Sequence, residues 1–260
     1  MYRPRLIPVL LIDGLQAVKT IRFDKRINLG DPVNAVSIFN SFRVDELVVL
    51  DIGASKAGRA PNLDLLRDIA SEARMPFSVG GGIVDCTQVG EILALGAEKV
   101  VISTAAIRDP VFVRDAVGMF GSSSISACID VGRDWLKRSV VRTRSGTDKV
   151  AGSPLEVAKQ LQDLGVGEII LQSIERDGMR GGYDLALIAQ LSEAIEVPIV
   201  ALGGAGNLQH MRDAYVTTHV NALASGSFFC FKGAGHGVLI SYPSTADLDT
   251  FRNLRKEQAA

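Results

Sequence analysis

Histidine and cysteine are scarce in this 260-residue chain, with three of each. Cys86, Cys128 and Cys230 are odd in number and far apart, which excludes a disulfide framework and a cysteine-based metal pattern. His210, His219 and His236 are scattered, without a Ser/His/Asp or His/Cys arrangement. Neither a metal site nor a covalent triad is expected, and no cofactor. Charge of one sign is missing as well. The 28 Lys and Arg balance 29 Asp and Glu to a net −1, which gives nucleic acid or an anionic membrane nothing to hold. No apolar run approaches the roughly 20 residues that span a bilayer. Met1-Tyr-Arg-Pro-Arg leads straight into an apolar segment without a signal-peptide cleavage pattern, so a cytoplasmic protein is expected.

Apolar residues are plentiful, at 47% of the chain, enough for the core of one large domain or two small ones. Short apolar runs at 5–12, 46–51, 77–79 and 99–103 read as strands. Helices open between them at Asp31-Pro32, Asn62, Asp85 and Asp109-Pro110. Asp or Asn caps each first turn, and Pro suits the first helical position. Ala35, Ile38, Phe39 and Phe42 are expected to form the buried face of the first helix, and Leu65, Leu66 and Ile69 that of the second. The alternation repeats with strands at 124–130, 168–173, 199–202 and 222–224, and helices from Ser153-Pro154, over 185–194 and over 208–215. The charged, β-branched stretch 131–152 is expected as a hairpin over one face. Its Lys137, Arg138, Arg142 and Arg144 read as a solvated surface.

Pro76-Phe-Ser-Val-Gly-Gly-Gly-Ile83 runs a buried strand into three glycines. Such glycines let the backbone approach a ligand and point N–H groups at an anion. Pro198-Ile-Val-Ala-Leu-Gly-Gly-Ala-Gly206 repeats the pattern 122 residues on, from position 76 to position 198. At the same spacing, segment 45–51 falls on 167–173 and 101–106 on 223–228. Three segments at one offset imply two similar halves. Eight buried strands alternating with helices indicate a parallel sheet. Repeat and length favour an α/β fold of the (β/α)8 TIM barrel type, a single domain over 1–260. Its half-barrels span about 1–122 and 123–245, with a C-terminal polar helix over 246–260. Ligand loops then follow the strands. Gly81, Gly82 and Thr104 would form one phosphate site. Asp177, Gly178, Gly203, Gly204, Ser225 and Gly226 would form a quasi-equivalent one, and together they suit a long bisphosphate.

Five motifs, Arg5-Leu-Ile-Pro, Asp45-Glu-Leu-Val-Val-Leu-Asp51, Val79-Gly-Gly-Gly-Ile83, Ser173-Ile-Glu-Arg-Asp-Gly178 and Gly203-Gly-Ala-Gly206, together resemble the cyclase subunit of imidazole glycerol phosphate synthase, of histidine biosynthesis. The resemblance covers roughly residues 3–231. It implies a barrel that binds a glutaminase subunit at its N-terminal face and passes ammonia through to a phosphorylated substrate at its C-terminal face. It also implies an ammonia gate of Arg5, Glu46, Lys99 and Glu168, each at the start of a strand. Two cations and two anions there make a neutral, paired ring. Lys19 matches a lysine on the family's mobile active-site loop, and Ser103, Ser145, Gln172 and Ser173 fall among the ligand positions.

The chain departs from that family at one decisive place. The family's catalytic pair is an aspartate at the end of strand one and another at the end of strand five. Asp130 supplies the second, but Leu11 stands at the first. Leucine cannot move a proton, and general acid–base catalysis is worth ~10²–10⁴-fold. Asp13, two residues on, is a candidate replacement. Ser103 and Gln172 stand where the family has Asn and Thr. The stretch 232–243 resembles a paralogous group linked to surface-polysaccharide pathways, in which a glutaminase and a separate sugar amidotransferase make an acetamidino group. The expected function is therefore an amidotransferase barrel subunit of that kind. A histidine-pathway cyclase and a non-catalytic channelling scaffold are the alternatives.

Overall fold

The computed structural model describes residues 3–232, 237–252 and 254. Eight strands run parallel: β1 (Arg5–Asp13), β2 (Leu47–Asp51), β3 (Phe77–Gly80), β4 (Lys99–Ile102), β5 (Ile125–Arg133), β6 (Glu168–Ser173), β7 (Ile199–Leu202) and β8 (Ala222–Ser225). β8 pairs with β1, and β5 pairs with β6, Glu168 opposite Ser126 and Ser173 opposite Val131. The sheet is thereby closed, and with its outer helices it is the (β/α)8 TIM barrel of two repeated halves.

Both faces of each strand are buried, which is why the strands read as unbroken apolar runs. Leu6, Leu10 and Ile12 of β1 join the layer under the helices with Val36 and Phe39. Ile7, Val9 and Leu11 alternate with them and belong to a separate interior cluster with Val48, Val101, Cys128, Ile170 and Val200. The helices start where side-chain caps allow. Asp31 accepts the Asn34 N–H at 2.8 Å, and Asn62, Asp85 and Asp109 cap the next three in the same way. Ser153 and Glu156 make a reciprocal capping box.

Three expectations are corrected. In helix Pro32–Phe42 the buried face is Pro32, Ala35, Val36 and Phe39, while Ile38 and Phe42 are each 42% exposed. The stripe i, i+3, i+4, i+7 starts at Pro32, and positions 38 and 42 fall off it. Secondly, the segment bearing Lys19 is not a loop. Gln16–Ile21 pairs antiparallel with the end of β1 and with Lys25–Gly30, and Lys19 is 3% exposed. Its mixed pattern hid the hairpin, because only Ala17 and Val18 join apolar clusters while Lys19 and Thr20 line the cavity. Thirdly, the expected C-terminal helix is helical over Thr245–Asp249 and continues as a 3-10 turn at Thr250–Arg252. Residue 253, residues 255–260 and His236 lie outside the described residues. Beyond the expected elements, short helices at Ala54–Ala57, Thr104–Arg108 and Ser227–Cys230 follow β2, β4 and β8.

The stretch 131–152 does form a hairpin, Ser139–Thr143 pairing antiparallel with the extension of β5. Arg138 pairs with Asp134 and Arg144 with Asp148 on its surface. Towards the C-terminus, the Tyr242 hydroxyl donates to the Leu6 carbonyl at 2.8 Å and its ring stacks on Phe229 at 5.4 Å. This anchors the segment beside the start of β1. Among the described residues no helix is long and apolar enough to cross a membrane.

The corrected helix face has a direct test. Val36→Ala should lower unfolding stability by about 1–3 kcal/mol, because two buried methyl groups are lost. Phe42→Ala should cost less than about 1 kcal/mol despite removing more atoms. Chemical denaturation of both variants measures the order, and equal losses would contradict the assignment.

Candidate functional site

At the start of the strands, the four expected charges meet. Arg5 donates to both Glu46 and Glu168, and Lys99 Nζ lies 3.3 Å from a carboxylate oxygen of each. Arg5 is on β1 and Glu168 on β6, with β7 and β8 between them in the sheet. Lys99 on β4 likewise reaches past β3 to Glu46 and past β5 to Glu168. Such contacts cross the interior of the barrel. The Ser78 hydroxyl donates to Glu46 at 3.1 Å and Ser126 to Glu168 at 3.5 Å, which satisfies further lone pairs. Burial pulls the Arg5 guanidinium down, and the Glu168 and Glu46 carboxylates more than offset it, so Arg5 stays firmly charged. Above the ring the interior is the apolar cluster of Ile7, Val48, Val101, Cys128, Ile170 and Val200.

At the other end of the strands lies a cavity of about 170 Å³. Its lining includes Gly81, Gly82, Ser103, Thr104, Asp130, Ser145 and Gln172 among the expected ligand positions. A small adjoining pocket is lined by Lys19, Asp177, Gly178, Gly203, Gly204, Ser225 and Gly226. Lys19 and Asp177 border both. The two expected anion sites are thus two separate groups of residues on one face. Asp13 and Ser173 line neither. Asp13 is engaged by Arg26 at the rim, and Ser173 is buried behind Gly203.

The duplication extends to the contacts. Gly81 and Gly203, offset by 122, have φ of +111° and +96°. A Cβ on Gly81 would stand 2.1 Å from the Asp51 carbonyl oxygen, and one on Gly203 would stand 2.7 Å from that of Ser173, itself the repeat of position 51. Glycine is required at both by conformation and by space. Lys19 stands where the two pockets meet. A Cβ on Gly226 would lie 2.1 Å from its Nζ, so this glycine makes room for the ammonium group. The hairpin carrying Lys19 is latched there, as the Thr20 hydroxyl donates to Asp177 at 2.6 Å and the Arg22 N–H to the Asp177 carbonyl at 3.0 Å. The second hairpin closes the opposite side. The Ser145 hydroxyl donates to the Ile52 carbonyl at 3.1 Å, and the Arg144 N–H to Thr104 Oγ1 at 3.0 Å.

Asp130 projects into the cavity from β5. Ser103 donates to its Oδ2 at 3.2 Å, and the Cys128 thiol to its Oδ1 at 3.6 Å. Burial pushes its carboxyl up to about 7; the Asp177 charge adds to the rise, and the two hydrogen bonds oppose it. Near neutral pH it can therefore accept or release a proton. Leu11 lines the same cavity and supplies no second proton-active group.

Sequence reasoning missed Phe23, Arg26, Ser55 and Lys56, which also line the cavity. Phe23 and Arg26 belong to the unread hairpin. Ser55 had a signal, since it is the repeat partner of Asp177 (177 − 122 = 55), and both border the cavity.

Comparison with known proteins places the chain. The family model described as histidine biosynthesis protein matches residues 5–234. The chain belongs to this family. A Pseudomonas aeruginosa protein provisionally named imidazole glycerol phosphate synthase subunit hisF2 is 43% identical over 249 residues, 96% of this chain and 99% of that protein. A Leptospira borgpetersenii protein, provisionally named subunit HisF of the same synthase, is 42% identical over 95% of this chain and 98% of its own length. A Vibrio vulnificus protein with the provisional name hisF3 is 40% identical over 95% of both chains. Membership of the histidine biosynthesis protein family accounts for the cyclase-like motifs in one step.

The raised Asp130 carboxyl makes stability pH-dependent. Folding favours its protonated form, so this contribution is complete below about pH 4 and is lost as pH rises through about 7. Relative to wild type, Asp130→Asn should gain a few kcal/mol between pH 4 and pH 8. Urea denaturation at several pH values checks it. A constant difference between the two proteins across that range would contradict the assignment.

Proposed function

We propose that this chain is the barrel subunit of a glutamine amidotransferase. A glutaminase partner at the N-terminal face supplies ammonia, which passes the ring of Arg5, Glu46, Lys99 and Glu168 and the apolar interior. It then meets a phosphorylated or nucleotide-linked ligand in the cavity. The observation that carries this reading is the ring. Two buried carboxylates and two partly buried cations are paired across the barrel beneath an apolar interior. For stability alone, apolar packing of the same volume serves as well or better. The names of the relatives, as synthase subunits, support the same reading.

In the finer form of this reading, the chain serves surface-polysaccharide amidino-sugar synthesis, and a separate sugar amidotransferase uses the ammonia. Leu11 at the place of a catalytic aspartate supports a chemistry other than cyclisation. So do Ser103 and Gln172 at altered ligand positions, and the segment holding Tyr242. A histidine-pathway cyclase is the second reading, favoured by Asp130 with its carboxyl near 7. Asp13 does not help it, because that carboxylate is paired with Arg26 and is not among the residues lining the cavity.

Ammonium salt in place of the glutaminase tests the choice, with the histidine-pathway bisphosphate as substrate and imidazole glycerol phosphate as product. The wild type should show no turnover, and Leu11→Asp should raise it by about 10²-fold or more above background. Turnover by the wild type at the level of an ordinary histidine-pathway cyclase would overturn the reading.

A further inference from the structure

Gln172 lines the larger cavity and is 5% exposed, yet its side-chain oxygen has no hydrogen-bond partner among the described residues. An unpaired buried acceptor is a cost that packing does not require here. Its neighbours along β6 and β7 on the interior side are Ile170 and Leu202, and a leucine at 172 would extend the same apolar wall. Such an acceptor is retained where a bound group supplies the missing donor.

The strand register says what that group meets. Gln172 and Asp130 are direct partners across β6 and β5, so both side chains leave the sheet on the same side, on strands about 4.8 Å apart. Asp130 accepts from Ser103 at 3.2 Å on Oδ2 and from the Cys128 thiol at 3.6 Å on Oδ1, and each carboxylate oxygen has a further lone pair to offer. Two side-chain acceptors on paired neighbouring strands, both lining one cavity, can be bridged by one atom that donates twice. We propose that Gln172 and Asp130 form a subsite for a nitrogen carrying at least two hydrogens, either free ammonia or the amino end of a larger ligand. Ammonia donating to both oxygens keeps its lone pair free for an electrophilic carbon in the cavity. Asp130, with a carboxyl near 7, is placed to take the proton that an attacking amine gives up. Gln172 is a positioning residue in this arrangement. Free ammonia as the source rests on the proposed delivery through the barrel, but the subsite does not, because a probe added from solution reaches it without passing the ring.

The test uses the full-length protein labelled with ¹³C in its aspartate carboxyl groups, with the Asp130 resonance assigned from Asp130→Asn. Ammonium chloride and acetamidinium chloride are titrated in, against potassium chloride and tetramethylammonium chloride at equal ionic strength. One or both N–H probes should shift the Asp130 resonance saturably, while the two controls should not. Ammonium alone points to free ammonia, and acetamidinium alone to a ligand's amino end. Gln172→Leu should weaken the titration about tenfold or more, as expected for a lost hydrogen bond to a charged donor. Gln172→Glu, which keeps the acceptor, should preserve or tighten it. Equal shifts from potassium, no saturable shift, or an unchanged titration in Gln172→Leu would overturn the subsite while leaving the ring and the cyclase assay untouched.

Discussion

Two carboxylates and two cations share the lower end of the barrel, and none of them could be buried there alone. An isolated charge in that position would cost several kcal/mol or force a change of protonation. Pairing across the interior removes the cost only if four strands deliver their side chains to one level. Arg5, Glu46, Lys99 and Glu168 therefore constrain the stagger of β1, β2, β4 and β6 at once. The apolar residues above them follow by alternation, every second position along each strand.

The same alternation carries the strands from a polar lower end, through apolar wall, to cavity. Along β5 the series is Ser126, Cys128, Asp130; along β6 it is Glu168, Ile170, Gln172. One periodicity thus links the ring to the groups that face a ligand, and polar chemistry sits only at the two ends. At the upper end the duplicated glycines give two backbone cradles of like shape. Lys19, brought in by the first hairpin, borders both pockets and stands against Gly226 of the second.

Much of this was legible in the residues. The offset of 122 disclosed the duplication, and with it the paired glycines, because close backbone approach tolerates no other side chain. The helix starts were legible because Asp, Asn and Ser caps act within one turn. The hairpin at Gln16–Ile21 was not, since its partners in burial, Asp177 and Gly178, lie more than 150 residues away. The exposed Ile38 and Phe42 were misplaced because an apolar side chain on a helix does not state which side meets the sheet.

By itself the sequence determined the barrel, its two halves and the residue types available for ligands. These are local facts of spacing, composition and backbone freedom. Only the tertiary structure decided which of those residues meet. It joined four distant charges in one ring, set Lys19 against Gly226, turned Asp13 to Arg26, and left the Gln172 oxygen unpaired beside Asp130. The reason is physical. Coulombic pairing, desolvation and hydrogen bonding depend on distances of a few ångströms, and in a closed barrel strand register sets those distances between residues far apart in the chain.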